Sequence, residues 1–171
     1  LSKLLYATTG NSEYMDFYEQ ALYNHILSTI NPVQGGFVYF TPMRAGHYRV
    51  YSQPQTSFWC CVGSGMENHA RYGEMVYAHK DNDFFVNLFI PSTIKWNDAT
   101  IEQKNNFPNE DFTTLIVSPG KNKNFNIKVR KPHWAENSTV TINDQPFNAI
   151  TEDGYINIKR QWEKDDVVKV T

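Results

Sequence analysis

Two periods divide the chain. Up to about residue 80, apolar positions recur every three or four residues, the spacing of a helix face; after residue 84 they fall in short runs alternating with polar positions. Leu1, Leu4 and Leu5 sit on a helical spacing, and Gly10 breaks the helix predicted over residues 1–8. Asn11 or Ser12 then caps a second helix to about Ile30, with Phe17 or Tyr18, Ala21, Leu22, His25, Ile26 and Ile30 along its stripe. Asn31-Pro32 ends it, because proline lacks the N–H and restricts the residue before it. Together the two form an αα-hairpin. Gly35-Gly36 opens a β-rich stretch in which residues 37–40 and 47–51 flank 41–46, which predicts a hairpin. Ser64 and Glu67 stand in the S-x-x-E spacing of a capping box, so Ser64 is expected to cap a helix over 65–79.

The second half reads as strands at 84–90, 100–103, 112–118, 126–131, 139–143, 155–159 and 167–171. Turn signals separate them at Pro91, Asn105-Asn106, Pro119-Gly120, Asn143-Asp144 and Asp153-Gly154. Short, mainly antiparallel strands punctuated in this way predict a β-sandwich. The expected division is residues 1–80 and 81–171, an α+β chain without internal repeats.

Composition excludes more than it identifies. With 16 basic and 18 acidic residues and no basic run, the chain offers no footprint for nucleic acid. No apolar stretch reaches the eighteen or so residues of a membrane span. Ten Tyr, 11 Phe and four Trp suit both sandwich strands and sugar stacking. The chain opens on Leu1 within a helical pattern and closes within a strand-like run at Thr171, which reads as a fragment of a longer protein. An exposed apolar face on such a fragment is expected to promote self-association.

Both cysteines, Cys60 and Cys61, lie side by side just before the expected helix start. Unpaired N–H groups and the positive end of the helix dipole there favour a thiolate. Three readings stay open on pattern alone: a strained vicinal disulfide, two inert thiols, or a metal or catalytic site. Two thiols are fewer than the four ligands of a closed zinc site. In the preceding hairpin, Tyr39, His47, Arg44 and Arg49 are candidate sugar contacts, with packing as the alternative. Glu67 reads as the cap partner of Ser64 rather than an acid/base, Glu74 as solvated or between helices, and His25 as a core histidine.

The run FWCCVGSGMENHARYGEMVYAH (58–79), with SQPQTS before it, resembles the signature of the β-L-arabinofuranosidases of glycoside hydrolase families 127 and 146. KVRKPHWA (128–135), VTINDQPF (140–147) and GYINIKRQWEKDDVVKV (154–170) resemble the β-rich region that follows that group's catalytic domain. The resemblance implies the end of an (α/α)-barrel catalytic domain followed by part of a β-sandwich. It also implies a retaining hydrolase that removes β-L-arabinofuranosyl groups from plant-type glycans. By the same resemblance Cys60 is the nucleophile, and Cys60 and Cys61 are two of four zinc ligands, the others being a cysteine and a glutamate. No E-x-C pair precedes Cys60, and the family's acid/base glutamate lies further upstream. Many family 127 members carry Cys-Cys-Pro-Pro-Asn; here Val62-Gly63-Ser64 follows the pair, which points towards family 146.

A different class is also open. Residues 84–171 could form a non-catalytic carbohydrate-binding or structural β module, and the cysteines could hold a purely structural metal. Cysteine usage leaves the compartment undecided between cytoplasm and an oxidising periplasmic or secreted setting.

Overall fold

The computed structural model describes residues 1–171 as two compact units: Leu1–Asp16 with Met75–Thr171, and Phe17–Glu74. The chain leaves the first unit within helix α2 and returns to it at Met75.

The larger unit is an eleven-stranded sandwich with one short helix, α1 (Ser2–Thr9). In chain order its strands are β1 (Tyr77–Lys80), β2 (Asp83–Val86), β3 (Ser92–Trp96), β4 (Ala99–Lys104), β5 (Thr113–Ser118), β6 (Asn124–Arg130), β7 (Val140–Ile142), β8 (Gln145–Pro146), β9 (Ile150–Glu152), β10 (Tyr155–Gln161) and β11 (Asp166–Val170). One sheet runs β1-β2-β6-β10-β9 and the other β3-β4-β5-β11-β7-β8. Every pairing is antiparallel except β2 with β6, whose connection passes through the other sheet.

Alternation sets which residues face inward. Ile101, Leu115, Val117, Ile127, Val129, Ile158 and Val168 are fully buried, and they fill the core with Phe84, Phe125 and Trp162. The Trp162 indole stacks on Phe125 and donates its N–H to the Phe125 carbonyl at 2.9 Å, so its single polar atom is satisfied. Leu115→Ala is expected to cost about 2–5 kcal/mol, because this site, enclosed between two sheets, relaxes little around a cavity. Urea unfolding of the chain reads this cost directly.

Tight turns fix the register. Asn97-Asp98 joins β3 to β4 and Asn143-Asp144 joins β7 to β8, with φ of 47° and 67°, and 51° and 62°. Two central residues with positive φ make the primed turn whose twist matches paired strands. Asp153-Gly154 does the same between β9 and β10, and a Cβ on Gly154 would stand 2.0 Å from the Ser12 hydroxyl.

Buried polar groups tie α1 to the sandwich. Tyr6 and Tyr155 both donate to the Asn87 side-chain oxygen, at 3.0 and 2.8 Å. Burial pushes the Tyr155 hydroxyl far above its ordinary value, so it stays a donor. Arg130 donates from Nε to the Asn87 carbonyl at 2.7 Å and pairs with Asp16.

Several local expectations change here. The region expected to be helical to residue 79 already turns to strand at Tyr77, because Tyr77 and Ala78 pair with Val86 and Phe85. Strands β3, β8 and β9 are additional to those read from the sequence.

The smaller unit begins in α2 (Glu13–Ala21). Asn11, through its side-chain oxygen, accepts the Glu13 N–H at 3.0 Å and is the side-chain cap. The helix widens into a π turn at Leu22–Ile26, tightens at Leu27–Thr29 and ends at Ile30. The expected hairpin reduces to isolated bridges, Ile30 to Phe37 and Val38 to Tyr51. Phe40, Met43, Tyr48 and Val50 are exposed, so no buried face holds a ladder together. Helix α3 (Cys60–His69) follows.

Candidate functional site

Helix α3 starts five residues earlier than the capping-box spacing implies. Trp59 is its N-cap, extended at φ −80° and ψ 150°, and no side chain caps the first turn. Ser64 lies mid-helix, and Glu67 pairs with Arg71 one turn on, both exposed. The cysteines are therefore the first two residues of the helix rather than part of a preceding loop. That position places them at the open N–H groups and positive dipole end, with no acidic side chain in the first turn to compete.

Cys60 is exposed and Cys61 half-buried; both are free thiols with sulfurs 3.8 Å apart. The Tyr39 hydroxyl neighbours both sulfurs. Hydrogen bonding to Cys60, then the sulfur charges, push the Tyr39 hydroxyl up. Desolvation pushes Cys61 up first, then its bond to Cys60, while Tyr39 opposes the shift. Either sulfur can be the donor between them, and the three groups form one small cluster at the helix start. Phe40 and Trp59 pack edge-on against the Tyr39 ring at 4.6 and 6.0 Å, giving the pair an aromatic wall.

Glycine permits the packing beneath. A Cβ on Gly65 would lie 2.6 Å from the Phe37 ring, whereas one on Gly63 meets nothing within 4 Å. Gly65→Ala should lose about 1 kcal/mol net, since overpacking outweighs the gain in helix propensity. Gly63→Ala should gain about 0.5–1 kcal/mol by that propensity alone. Equal shifts in the two melting curves would contradict the Phe37 contact.

At the far end of α3, the Tyr72 hydroxyl meets His69 Nδ1 at 2.6 Å, and Phe37 packs on the His69 ring. Burial lowers the His69 pKa; burial first, then Tyr18, raises Tyr72 to about 12. His47 is placed differently: its ring stacks on Tyr48 and Nδ1 meets the Tyr48 carbonyl at 3.1 Å, with no bond or ring contact to the cysteines. His25 is exposed rather than core, and Arg49 donates to the Ser28 carbonyl. Trp59 and Phe40 were not singled out as site residues, although each adjoins a candidate in sequence.

The two sulfurs fit half of a zinc site. With zinc–sulfur bonds of about 2.3 Å, the edge of a tetrahedron is about 3.8 Å, which is the observed sulfur separation. No third His, Cys, Asp or Glu gathers with them.

Comparison with known proteins agrees with the fold and the cysteine loop together. Residues 1–74 match the model of the β-L-arabinofuranosidase GH127 catalytic domain, and residues 83–171 match that of the GH127 middle domain. The chain belongs to the GH127 β-L-arabinofuranosidase family. A GH127 β-arabinofuranosidase structure is similar over 97% of this chain and 29% of its own, at 27% identity and TM-score 0.82. A GH127 β-L-arabinofuranosidase from Geobacillus stearothermophilus T6 matches 99% of this chain and 29% of its own, at 25% identity and TM-score 0.84. A third structure, described as a glycoside hydrolase, shares the fold at TM-score 0.85 and 23% identity, over 99% of this chain and 30% of its own. The chain thus spans about 30% of the length of the structures it matches. No curated protein matches it at a significant level. No helix is long and apolar enough to cross a membrane.

Proposed function

We propose that this chain is part of a retaining β-L-arabinofuranosidase acting on plant-type glycans, with Cys60 as the nucleophile. The observation that carries the reading is the exposed Cys60 at the first position of a helix without a side-chain cap, with the Cys61 sulfur 3.8 Å away. Residues 1–74 belong to the end of an (α/α)-barrel catalytic domain and the strands from Tyr77 onwards to the β domain after it, so the boundary falls before β1 rather than at 80–81. Within the group, Cys-Cys-Val-Gly-Ser supports a placement nearer family 146.

Cys60 Sγ attacks the anomeric carbon, forming a sulfur–carbon bond as the glycosidic carbon–oxygen bond breaks. The departing oxygen takes a proton from an acid, and water then hydrolyses the thioglycoside with overall retention. Tyr39 holds the sulfur in position, and Phe40 and Trp59 limit water on that side. Cys60 and Cys61 would hold a zinc ion, which when bound keeps a thiol deprotonated. The acid/base and the remaining ligands come from elsewhere in the protein, since Glu67 pairs with Arg71 and Glu74 lies beside Tyr18. His47 remains a possible sugar contact only through a rearrangement off Tyr48.

An electrophilic furanose mimic tests the assignment in the full-length enzyme. Mass spectrometry should place the adduct on Cys60 alone; an adduct on Cys61 or on a glutamate overturns it. The 171-residue chain itself, with two of four ligands, should neither hold zinc tightly nor turn over an aryl β-L-arabinofuranoside. Its exposed Phe40, Met43, Tyr48, Val50 and Phe58 are expected to drive self-association, and a strictly monomeric sedimentation profile would remove that expectation.

A further inference from the structure

The two thiols differ in exposure, and the arrangement that makes them differ lies behind helix α3. Cys61, Gly65 and His69 are spaced by four, so they share one face of the helix. With Val62 they are its half-buried residues, while the others, Cys60 included, are exposed. What covers that face is the short stretch Phe37–Tyr39. The Phe37 ring lies on the bare backbone of Gly65, where a Cβ would stand 2.6 Å from it, and packs on the His69 ring at 5.5 Å. Two residues on, the Tyr39 hydroxyl neighbours both sulfurs.

The spacing of these contacts is that of an extended segment laid along a helix. Phe37 and Val38 pair as extended residues, so Phe37 and Tyr39 point to the same side, about 6.8 Å apart along the chain. Cys60 and Gly65 lie five positions apart, about 7.5 Å along the helix axis. The contact at Gly65 and the contact at the helix start are thus set together. The extended stretch is itself held from both flanks. On one, Val38 donates its N–H to the Thr29 carbonyl at 2.9 Å, and the Gly36 carbonyl accepts from Asn31 at 2.8 Å. On the other, the buried Ser52 hydroxyl accepts the Phe37 N–H at 2.9 Å, and the Ser52 N–H donates to the Phe37 carbonyl at 2.8 Å. The approach is close enough that a Cβ on Gly36 would stand 2.1 Å from the Ser52 carbonyl oxygen. An anchored ring seated in a helix notch resists both sliding and rotation of that helix, since either produces a clash or an empty contact.

We infer that Phe37, seated at Gly65 and anchored by Ser52, is a positioning residue that selects which thiol is open. It holds Cys61 on the covered face and leaves Cys60, the next position around the helix, accessible. Rotation of α3 by one residue, about 100°, would exchange the two. The consequence for turnover rests on the nucleophile reading of Cys60; the consequence for thiol access does not.

Limiting iodoacetamide on the full-length enzyme, with and without a zinc chelator, followed by peptide mass spectrometry, reads thiol access without any sugar. Cys60 should be alkylated about tenfold faster than Cys61 or more, and Phe37→Ala should lower that ratio about fivefold or more. Gly65→Ala should lower it as well, and Phe37→Leu added to Gly65→Ala should restore part of it, because a shorter side chain makes room for the new methyl. General loss of packing would instead compound in the double variant, so the rescue separates positioning from stability. Melting curves establish that each variant is folded at the assay temperature; where Phe37→Ala is not, the Gly65→Ala pair decides. Equal alkylation of the two wild-type thiols, an unchanged ratio in folded Phe37→Ala, or a double variant no better than Gly65→Ala would each overturn the inference. Selective alkylation of Cys60 together with a furanose-mimic adduct on another residue would leave it standing and end the nucleophile assignment instead.

Discussion

Replacing Cys60 with serine in the full-length enzyme is expected to lower kcat by about 10³-fold or more, equivalent to roughly 4 kcal/mol of transition-state stabilisation. A hydroxyl at the same position keeps the helix start and nearly the same volume. What it loses is the sulfur nucleophile, because a hydroxyl is a far weaker nucleophile than a thiol. Cys61→Ser should behave differently. Cys61 is half-buried and its sulfur stands 3.8 Å from that of Cys60, so its loss should weaken metal holding and misplace the nucleophile. Part of that loss should return with excess zinc, and none should return for Cys60→Ser. Tyr39→Phe probes the third member, keeping the aromatic wall while removing the hydroxyl. A kcat loss smaller than for Cys60→Ser, with unchanged zinc content, would mark Tyr39 as a positioning residue. Full turnover by Cys60→Ser would end the nucleophile assignment.

The sandwich was legible where local chemistry and burial agree. Strands β4, β5 and β6 alternate cleanly, and Asn143-Asp144 and Asp153-Gly154 announce turns whose positive φ these residues tolerate. Asn97-Asp98 makes the same kind of turn without a glycine or proline to mark it, so β3 is not evident in the sequence. Strand β1 was hidden because Tyr77 continues the helical spacing of Met66, Ala70 and Gly73; only pairing with β2 decides its conformation. At the helix, Ser64 and Glu67 satisfied the capping-box spacing without the conformation that the box requires. Two glycines, Gly63 and Gly65, made the first turns of α3 look like a loop. The cysteine pair could be singled out from sequence because adjacent thiols are scarce. The contact of Tyr39 with them could not, since it spans 21 positions of irregular chain and an aromatic side chain signals packing as readily as function. Least legible of all was the Tyr6–Asn87–Tyr155 cluster, which joins residues up to 149 apart.

That cluster and its cation carry the largest stability prediction. Arg130→Gln should destabilise the chain by about 3–5 kcal/mol, a large share of the 5–15 kcal/mol typical of a folded domain. The guanidinium is fully buried, and two separate segments meet on it, the start of α2 and the stretch after β2. It pairs with Asp16, bonds the Asn87 carbonyl at 2.7 Å and lies 5.6 Å from the centre of the Phe89 ring. Glutamine cannot reach all of these or supply the charge, so the Asp16 carboxylate is left largely out of water without its partner. Asp16→Asn should also be costly, because it leaves the buried cation uncompensated. The double variant Arg130→Gln/Asp16→Asn separates attraction from desolvation: if the charges attract, removing both should cost less than the two single changes summed. Urea unfolding of the four proteins gives the cycle. Strict additivity would show that the pair contributes no coupling and that packing of the Arg130 stem, not its charge, holds the start of α2 against the sandwich.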